Sequence, residues 1–324
     1  MCFNCKIEQA KPEELAKLQL ERLKKTVSWA GEKSSFYSQK FKTAKIDASS
    51  ISHLEDIKKL PFTTKDECLA ASPYDMLTLP ASSVVRVALW EHPEPIVKMY
   101  TANDVSCSIE IALRSLTAAG INHTTIIGVI GELADSGLLD LRTAAEMLGA
   151  TVVMLSTDYE RAIKLMSTIK VDVIVGSVRR LLQLTVSAQA AGKDIIDYSV
   201  RNIICLNDLV QNPLQGHIER RMNTKAINIF SSSVLGYVGA LCECDAHYGG
   251  HFQADMFYPE LIAFGSDELV TNCGQVGELV ITTLASEAMP IIRYRTGQAV
   301  MLAEGECTCG RLLPVYATPL ARRK

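Results

Sequence analysis

Apolar and polar positions change their rhythm twice along this chain. Over residues 12–31 Leu15, Leu18, Leu23 and Val27 recur at helical spacing. Pro12 suits a first helical turn, and Glu13 and Glu14 favour its positive end, so the pattern predicts an amphipathic helix. Residues 32–85 are mixed, with turn-forming stretches such as Leu60-Pro61. A regular alternation follows. Helical patterns at 104–119, 134–148, 158–169, 177–191 and 212–222 are interleaved with short apolar runs. Those runs are Thr125–Ile130, Thr151–Leu155, Val171–Val175, Asn202–Leu206 and Ala226–Phe230. Gly149 is placed to end the second of these helices. Continuous apolar runs between helices predict parallel strands covered on both faces, an α/β fold.

After Phe230 the helical period fades. Short β-type runs, Glu278–Leu284 and Ile291–Tyr294 among them, stand between glycines and acidic residues. The expected organisation is a helical and mixed segment over 1–103 that belongs to the large domain, an α/β core over 104–239, and a smaller, mainly antiparallel β-rich unit over 240–324.

Composition narrows the class. Among 324 residues, 48% hydrophobic and 21% charged is a globular balance. A net charge of −3 leaves no basic footprint for nucleic acid. No apolar run reaches the roughly 20 residues of a membrane helix. The opening MCFNCKIEQAK has no apolar signal core, so a cytoplasmic protein is expected. Ten cysteines in so long a chain then read as reduced thiols, some of them metal ligands.

The ligand candidates are Cys244 and His251, with six residues between them, and the pair Cys307 and Cys309. Three thiolates and an imidazole would make a closed tetrahedral zinc site that pins the β-rich unit and leaves no open position for catalysis. Cys242 and His247 compete as ligands from the same loop, and free thiols are the alternative. Cys2 and Cys5 form a separate C-x-x-C. His53, His92, His123 and His217 stand alone and read as surface or satisfied histidines rather than catalysts.

FYPEL (257–261), GELVITTL (277–284) and EAMPIIRYRTG (287–297) are distinctive. Before them stand QLERLKKTV (19–27), SFYSQKF (35–41), LEDIKKLPFTTKDE (54–67) and VVRV (84–87). In this order and spacing the chain resembles the phenylacetate-CoA ligase family of adenylate-forming enzymes, from about residue 12 to 315. The resemblance implies the large N-terminal domain of that superfamily. It also implies an aryl carboxylate, ATP with Mg²⁺, and coenzyme A as reactants. Some similar proteins carry a matching Cys…His…Cys-x-Cys set. The chain stops at Lys324, about where the family's hinge begins, so the mobile C-terminal domain and its lysine are expected to be absent.

Several implied positions depart from the pattern. A Ser/Thr/Gly-rich phosphate loop should follow Arg86-Val87, but ALWEHPEPIVKMYTAND (88–104) contains no glycine. Glu91 and Glu94 repel phosphate, Pro93 and Pro95 lack N–H donors, and Lys98 alone cannot rebuild the loop. In FSSSVLG (230–236), Phe230 and Ser233 fill the aromatic and hydroxyl positions, but Val234 stands where a glutamate would hold Mg²⁺. In RYRTGQ (293–298), Arg293 and Tyr294 are kept, and Gln298 replaces the aspartate that binds ribose. A pocket for an aryl acid or acyl-CoA is expected where 128–137 meets 231–240, with Gly131, Ser232 and Tyr237 in its wall.

The reading is therefore a ligase-like protein with degenerate ATP motifs that does not adenylate. It would serve as a binding or scaffold homologue, paired with a ligase-related protein or a second copy of itself. The alternative is an active aryl-acid-adenylating enzyme with an altered nucleotide site or a separately encoded C-terminal domain.

Overall fold

The computed structural model describes residues 2–90, 96–132, 135–192, 198–207 and 213–318. Five helices come first: α1 (Cys5–Glu8), α2 (Pro12–Lys33), α3 (Ser35–Thr43), α4 (Lys65–Ala70) and α5 (Pro73–Met76). The apolar stripe of α2 buries Leu23, Val27 and Ala30 against Tyr37 and Phe41 of α3 and against Leu284 and Ile292 from the C-terminal part. A separate antiparallel pair follows, β1 (Arg86–Trp90) with β2 (Ile96–Tyr100). Residues 91–95, which include Glu91, His92, Pro93, Glu94 and Pro95, lie outside the described residues.

The alternating region forms α6 (Ala102–Ala118), β3 (Ile126–Ile130), α7 (Ser136–Met147), β4 (Thr151–Leu155) and α8 (Tyr159–Thr168). It continues with β5 (Val173–Ser177), α9 (Val178–Ala190), β6 (Asn202–Asn207), α10 (Pro213–Met222) and β7 (Ala226–Ser232). The α6 helix starts two residues before the expected position because Thr101 caps it. The Asp104 N–H donates to Thr101 Oγ1 (3.1 Å) and the Thr101 N–H to Asp104 Oδ2 (2.9 Å).

Strands β4, β3, β5, β6 and β7 pair in parallel in that order. Their side chains alternate between two cores. Val173, Val175, Ile204, Ile227 and Ile229 pack on one face with residues of α6 and α7. Ile174, Ile203, Cys205 and Ala226 pack on the other with residues of α8, α9 and α10. Burial on both faces is why these strands read as unbroken apolar runs. The third strand sits two residues later than its apolar run: Asp172 is used in connections, accepting the Ile126 N–H on its carboxylate (2.9 Å) and the Arg201 N–H on its carbonyl (2.8 Å).

Beyond β7 the sheet continues without a break but reverses sense. β8 (Tyr237–Glu243) pairs antiparallel with β7, and β9 (Gly250–Phe252), β10 (Phe257–Ile262), β11 (Val276–Thr283), β12 (Tyr294–Leu302) and β13 (Val315–Ala317) complete it. Among the described residues the eleven-stranded order is β10-β11-β12-β13-β9-β8-β7-β6-β5-β3-β4. The expected β unit is thus hydrogen-bonded into the core sheet from Tyr237 onward. The run Ile291–Tyr294 is not itself a strand. Arg293 takes φ 49°, which breaks extended backbone, and pairing begins at Tyr294. Among the described residues no helix is long and apolar enough to cross a membrane.

Buried charge ties the layers together. Arg114 on α6, 2% exposed, meets Asp255 at 2.7 Å and also bonds Glu110. Asp255 precedes β10, so the pair couples the helical layer to the antiparallel strands. Removing one partner of such a pair leaves a buried uncompensated charge. Arg114→Met is expected to cost about 3–5 kcal/mol in urea unfolding. Arg142→Ala, which breaks an exposed pair with Glu146, should stay within about 0.5 kcal/mol. Equal losses in the two variants would contradict this.

Candidate functional site

The sense reversal between β7 and β8 is made by the turn Ser233–Gly236, which holds the expected hydroxyl residue Ser233 and the departing position Val234. Gly236 sits at φ 75° and its N–H donates to Ser232 O at 2.9 Å. The Leu235 N–H donates to Ser232 Oγ at 3.4 Å. The Tyr100 hydroxyl donates to Gly236 O at 2.7 Å and accepts from Trp90 Nε1 at 3.0 Å. A Cβ at position 236 would lie 2.8 Å from Tyr100 Oη and 2.9 Å from Lys98 Cε, so the turn lies directly on β2 and needs a glycine there.

That contact closes one wall of a cavity of about 220 Å³. Its lining includes Cys68, Met76, Ile96, Lys98, Val234 and Met289. Val234 is buried in the apolar core with Leu235 and Met289. Lys98 is 3% exposed and donates to Met289 O at 3.3 Å. The loop holding Met289 is fixed by Asp104, which accepts the N–H groups of Glu287 (2.6 Å) and Ala288 (2.9 Å). Burial pushes the Lys98 ammonium down to about 8 and the Cys68 thiol up to about 11. Nothing in the sequence marks this lysine as inward-facing.

None of the other expected residues lines this cavity. Phe230 is buried in β7 and Ser233 is half-buried in the turn. Arg293 binds Glu260 through two bonds (3.0 and 2.8 Å), donates to Leu60 O (2.6 Å), and stacks on Phe62 at 3.9 Å. It is committed to the framework. Tyr294 is buried at the start of β12. Gln298 is half-buried and turns back on Thr296, its side-chain amide donating to Thr296 O at 3.4 Å. Gly131, Ser232 and Tyr237 do not line the cavity. A Cβ on Gly131 would meet Leu138 and Arg180, and Tyr237 packs edge-on against Tyr100 and Phe257.

The second cluster lies where β8, β9 and β13 run side by side. Cys244 follows β8, His251 lies on β9, and Cys307 and Cys309 occupy the loop between β12 and β13. Their ligand atoms all fall within 4.8 Å of one another. The Cys244 and Cys307 sulfurs are 3.6 Å apart, and Cys309 Sγ is 3.2 Å from His251 Nε2. The edge of a zinc–thiolate tetrahedron with bonds of about 2.3 Å is about 3.8 Å, so the spacing fits a Zn²⁺ ion. Burial pushes His251 down to about 4, leaving the neutral imidazole that a metal requires. Burial raises the Cys309 thiol, but hydrogen bonds from Arg311 outweigh it and hold the group below its ordinary value. Arg311 is in turn held by Glu8 at 2.6 Å. Cys242 and His247 are not among the four.

At the N-terminus Cys2 and Cys5 are joined as a disulfide, against the expectation that all thiols are reduced. The start of α1 at Cys5 brings the two cysteines together, their Cα atoms 5.4 Å apart. His53, His123 and His217 are exposed, and Lys324 lies outside the described residues.

The fold is that of the large domain of adenylate-forming enzymes. Solved structures of a 2-hydroxyisobutyryl-CoA ligase superpose with a TM-score of 0.86 at 20% identity, covering 96% of this chain and 68% of that one. The phenylacetate-coenzyme A ligase of Thermus thermophilus is 31% identical over 316 residues, 96% of this chain and 71% of the relative. That of Escherichia coli is 33% identical over 305 residues, 92% and 70% of the two chains. No protein-family model matches the chain. On these similarities the chain belongs to the phenylacetate-coenzyme A ligase family.

The cluster geometry makes a direct forecast. Freshly purified protein should carry about one equivalent of zinc. Cys309→Ser should lower that content and destabilise the protein by about 2–4 kcal/mol, the effect of opening a long cross-linked loop. Elemental analysis showing well under half an equivalent, with all four groups free to react, would rule the site out.

Proposed function

We propose that this family member does not adenylate and acts as a binding or scaffold homologue for an aryl acid or its coenzyme A thioester. Val234 carries the reading. The family pattern implies a carboxylate there to hold Mg²⁺, which demands oxygen ligands. The valine instead faces a cavity whose ionisable walls are an ammonium and a thiol. A cation beside Lys98 would be repelled, and the carboxylate that acts on Lys98, Asp104, is outside the cavity lining and taken up by the N–H groups of Thr101, Glu287 and Ala288. Gln298 in place of the ribose-binding aspartate weakens the same site, since a neutral amide makes weaker hydrogen bonds than a carboxylate.

In this reading Zn²⁺ is structural, with Cys244, His251, Cys307 and Cys309 linking the ends of β8, β9 and the β12–β13 loop. A reducing cytoplasm suits these thiolates and the eight cysteines outside the disulfide. A homodimer or a ligase-related partner would supply the scaffold role. An active aryl-acid-adenylating enzyme is the second reading. It is favoured by relatives that are coenzyme A ligases matching nearly the whole chain.

Pyrophosphate release separates the two. With ATP, Mg²⁺ and phenylacetate or benzoate, the protein is expected to release none. Val234→Glu alone should not restore release, because the phosphate loop still lacks its donors. Aryl-acid-dependent pyrophosphate from the unaltered protein would overturn the proposal in favour of the second reading.

A further inference from the structure

Lys98 has no role in the nucleotide motifs, yet its surroundings are unusual for a structural lysine. It pairs with Ala88 across the β1–β2 hairpin and both side chains are buried. Its single hydrogen bond among the described residues, to Met289 O at 3.3 Å, leaves two of its three donors without a protein acceptor. It makes no ion pair among the described residues, and the cavity of about 220 Å³ opens beside it. An apolar cavity of about 150 Å³ admits benzene, so a ring-sized guest fits here. Leu69, Ala71 and Pro73, half-buried residues at the α4–α5 connection, form the solvent-facing rim.

Two kinds of guest suit a buried amine. A carboxylate would pair with the ammonium, but its remaining lone pairs need donors, and among the lining side chains only the Cys68 thiol offers one besides Lys98. A buried ion pair with unsatisfied lone pairs gains little over its desolvation cost. A carbonyl compound removes the charge altogether, because condensation turns the amine into an imine that is readily neutral. The depressed ammonium supports this chemistry. With a value of about 8, about a tenth of the amine is free at pH 7, against less than about a thousandth for an ordinary lysine.

We propose that Lys98 is a reactive amine that captures a small apolar aldehyde, of about the size of benzaldehyde, as an imine inside this cavity. The nitrogen lone pair adds to the carbonyl carbon, and a proton moves from nitrogen to oxygen to give a carbinolamine. Loss of that hydroxyl as water, with the second N–H proton, leaves the C=N bond. No oxidant or reductant is consumed.

The full chain is incubated with benzaldehyde and sodium cyanoborohydride, and modified peptides are mapped. The expected result is one benzyl group per chain at Lys98, formed roughly tenfold faster than on exposed lysines, with a rate that rises through pH 8 rather than pH 10. Lys98→Met should lose this fast phase while keeping the parent's circular dichroism. The map of the unaltered protein decides the matter even if that variant fails to fold. Label spread over exposed lysines with Lys98 unmodified would overturn the proposal. So would benzoate raising the melting temperature in a Lys98-dependent way while benzaldehyde leaves Lys98 unlabelled, which would assign the cavity to an anion.

Discussion

The reversal of strand sense between β7 and β8 is the constraint on which the rest of this molecule depends. Five parallel strands carry the helices, and the antiparallel strands join them through the register Ser231↔Val238 and Ser232↔Tyr237. A four-residue turn must make that join, and it is pressed onto β2 by the Tyr100–Gly236 hydrogen bond. The turn cannot move without disturbing both halves of the sheet. Val234 and Lys98 are therefore held across one small space, and the chemistry of that space follows from which side chains occupy it.

The middle of the antiparallel region, where β13 and β9 lie between β12 and β8, is secured by other means. β9 and β13 have only three residues each and contribute few ladder bonds. Cys244, His251, Cys307 and Cys309 come together across the segments those short strands leave weakly tied. The Glu8–Arg311 pair then brings α1 against the same loop, with the Leu312 N–H donating to Glu8 O at 2.9 Å. Burial of both charged groups makes this contact specific in position, since either alone would be costly.

Much of this was legible in the sequence, for identifiable reasons. The parallel strands stood out because burial on both faces demands unbroken apolar runs. The cysteine–histidine cluster stood out because zinc selects thiolate and imidazole by type, whatever their distance along the chain. The cavity did not stand out. In β1 and β2 the usual pattern is inverted: Val87 and Leu89 face solvent while Lys98 faces inward. Periodicity alone assigns the charged residue outward, and a lone lysine in a segment without glycine carries no signal of a cavity. The segment at Ile291 misled for a related reason. Its apolar residues are buried, but Arg293 turns the backbone to reach Glu260, and only tertiary pairing dictates that.

A buried lysine without a direct ion pair among the described residues occupies the space facing the Val234 turn, and its desolvation outweighs the field of Asp104. A direct measurement is the pH titration of the lysine ε-methylene resonances in isotopically labelled protein. One lysine should titrate near 8, well below the value of about 10.4 for an unperturbed side chain, and that resonance should vanish in Lys98→Met. If every lysine titrates at the ordinary value, Lys98 is solvated or paired with a carboxylate, and the account of the cavity fails.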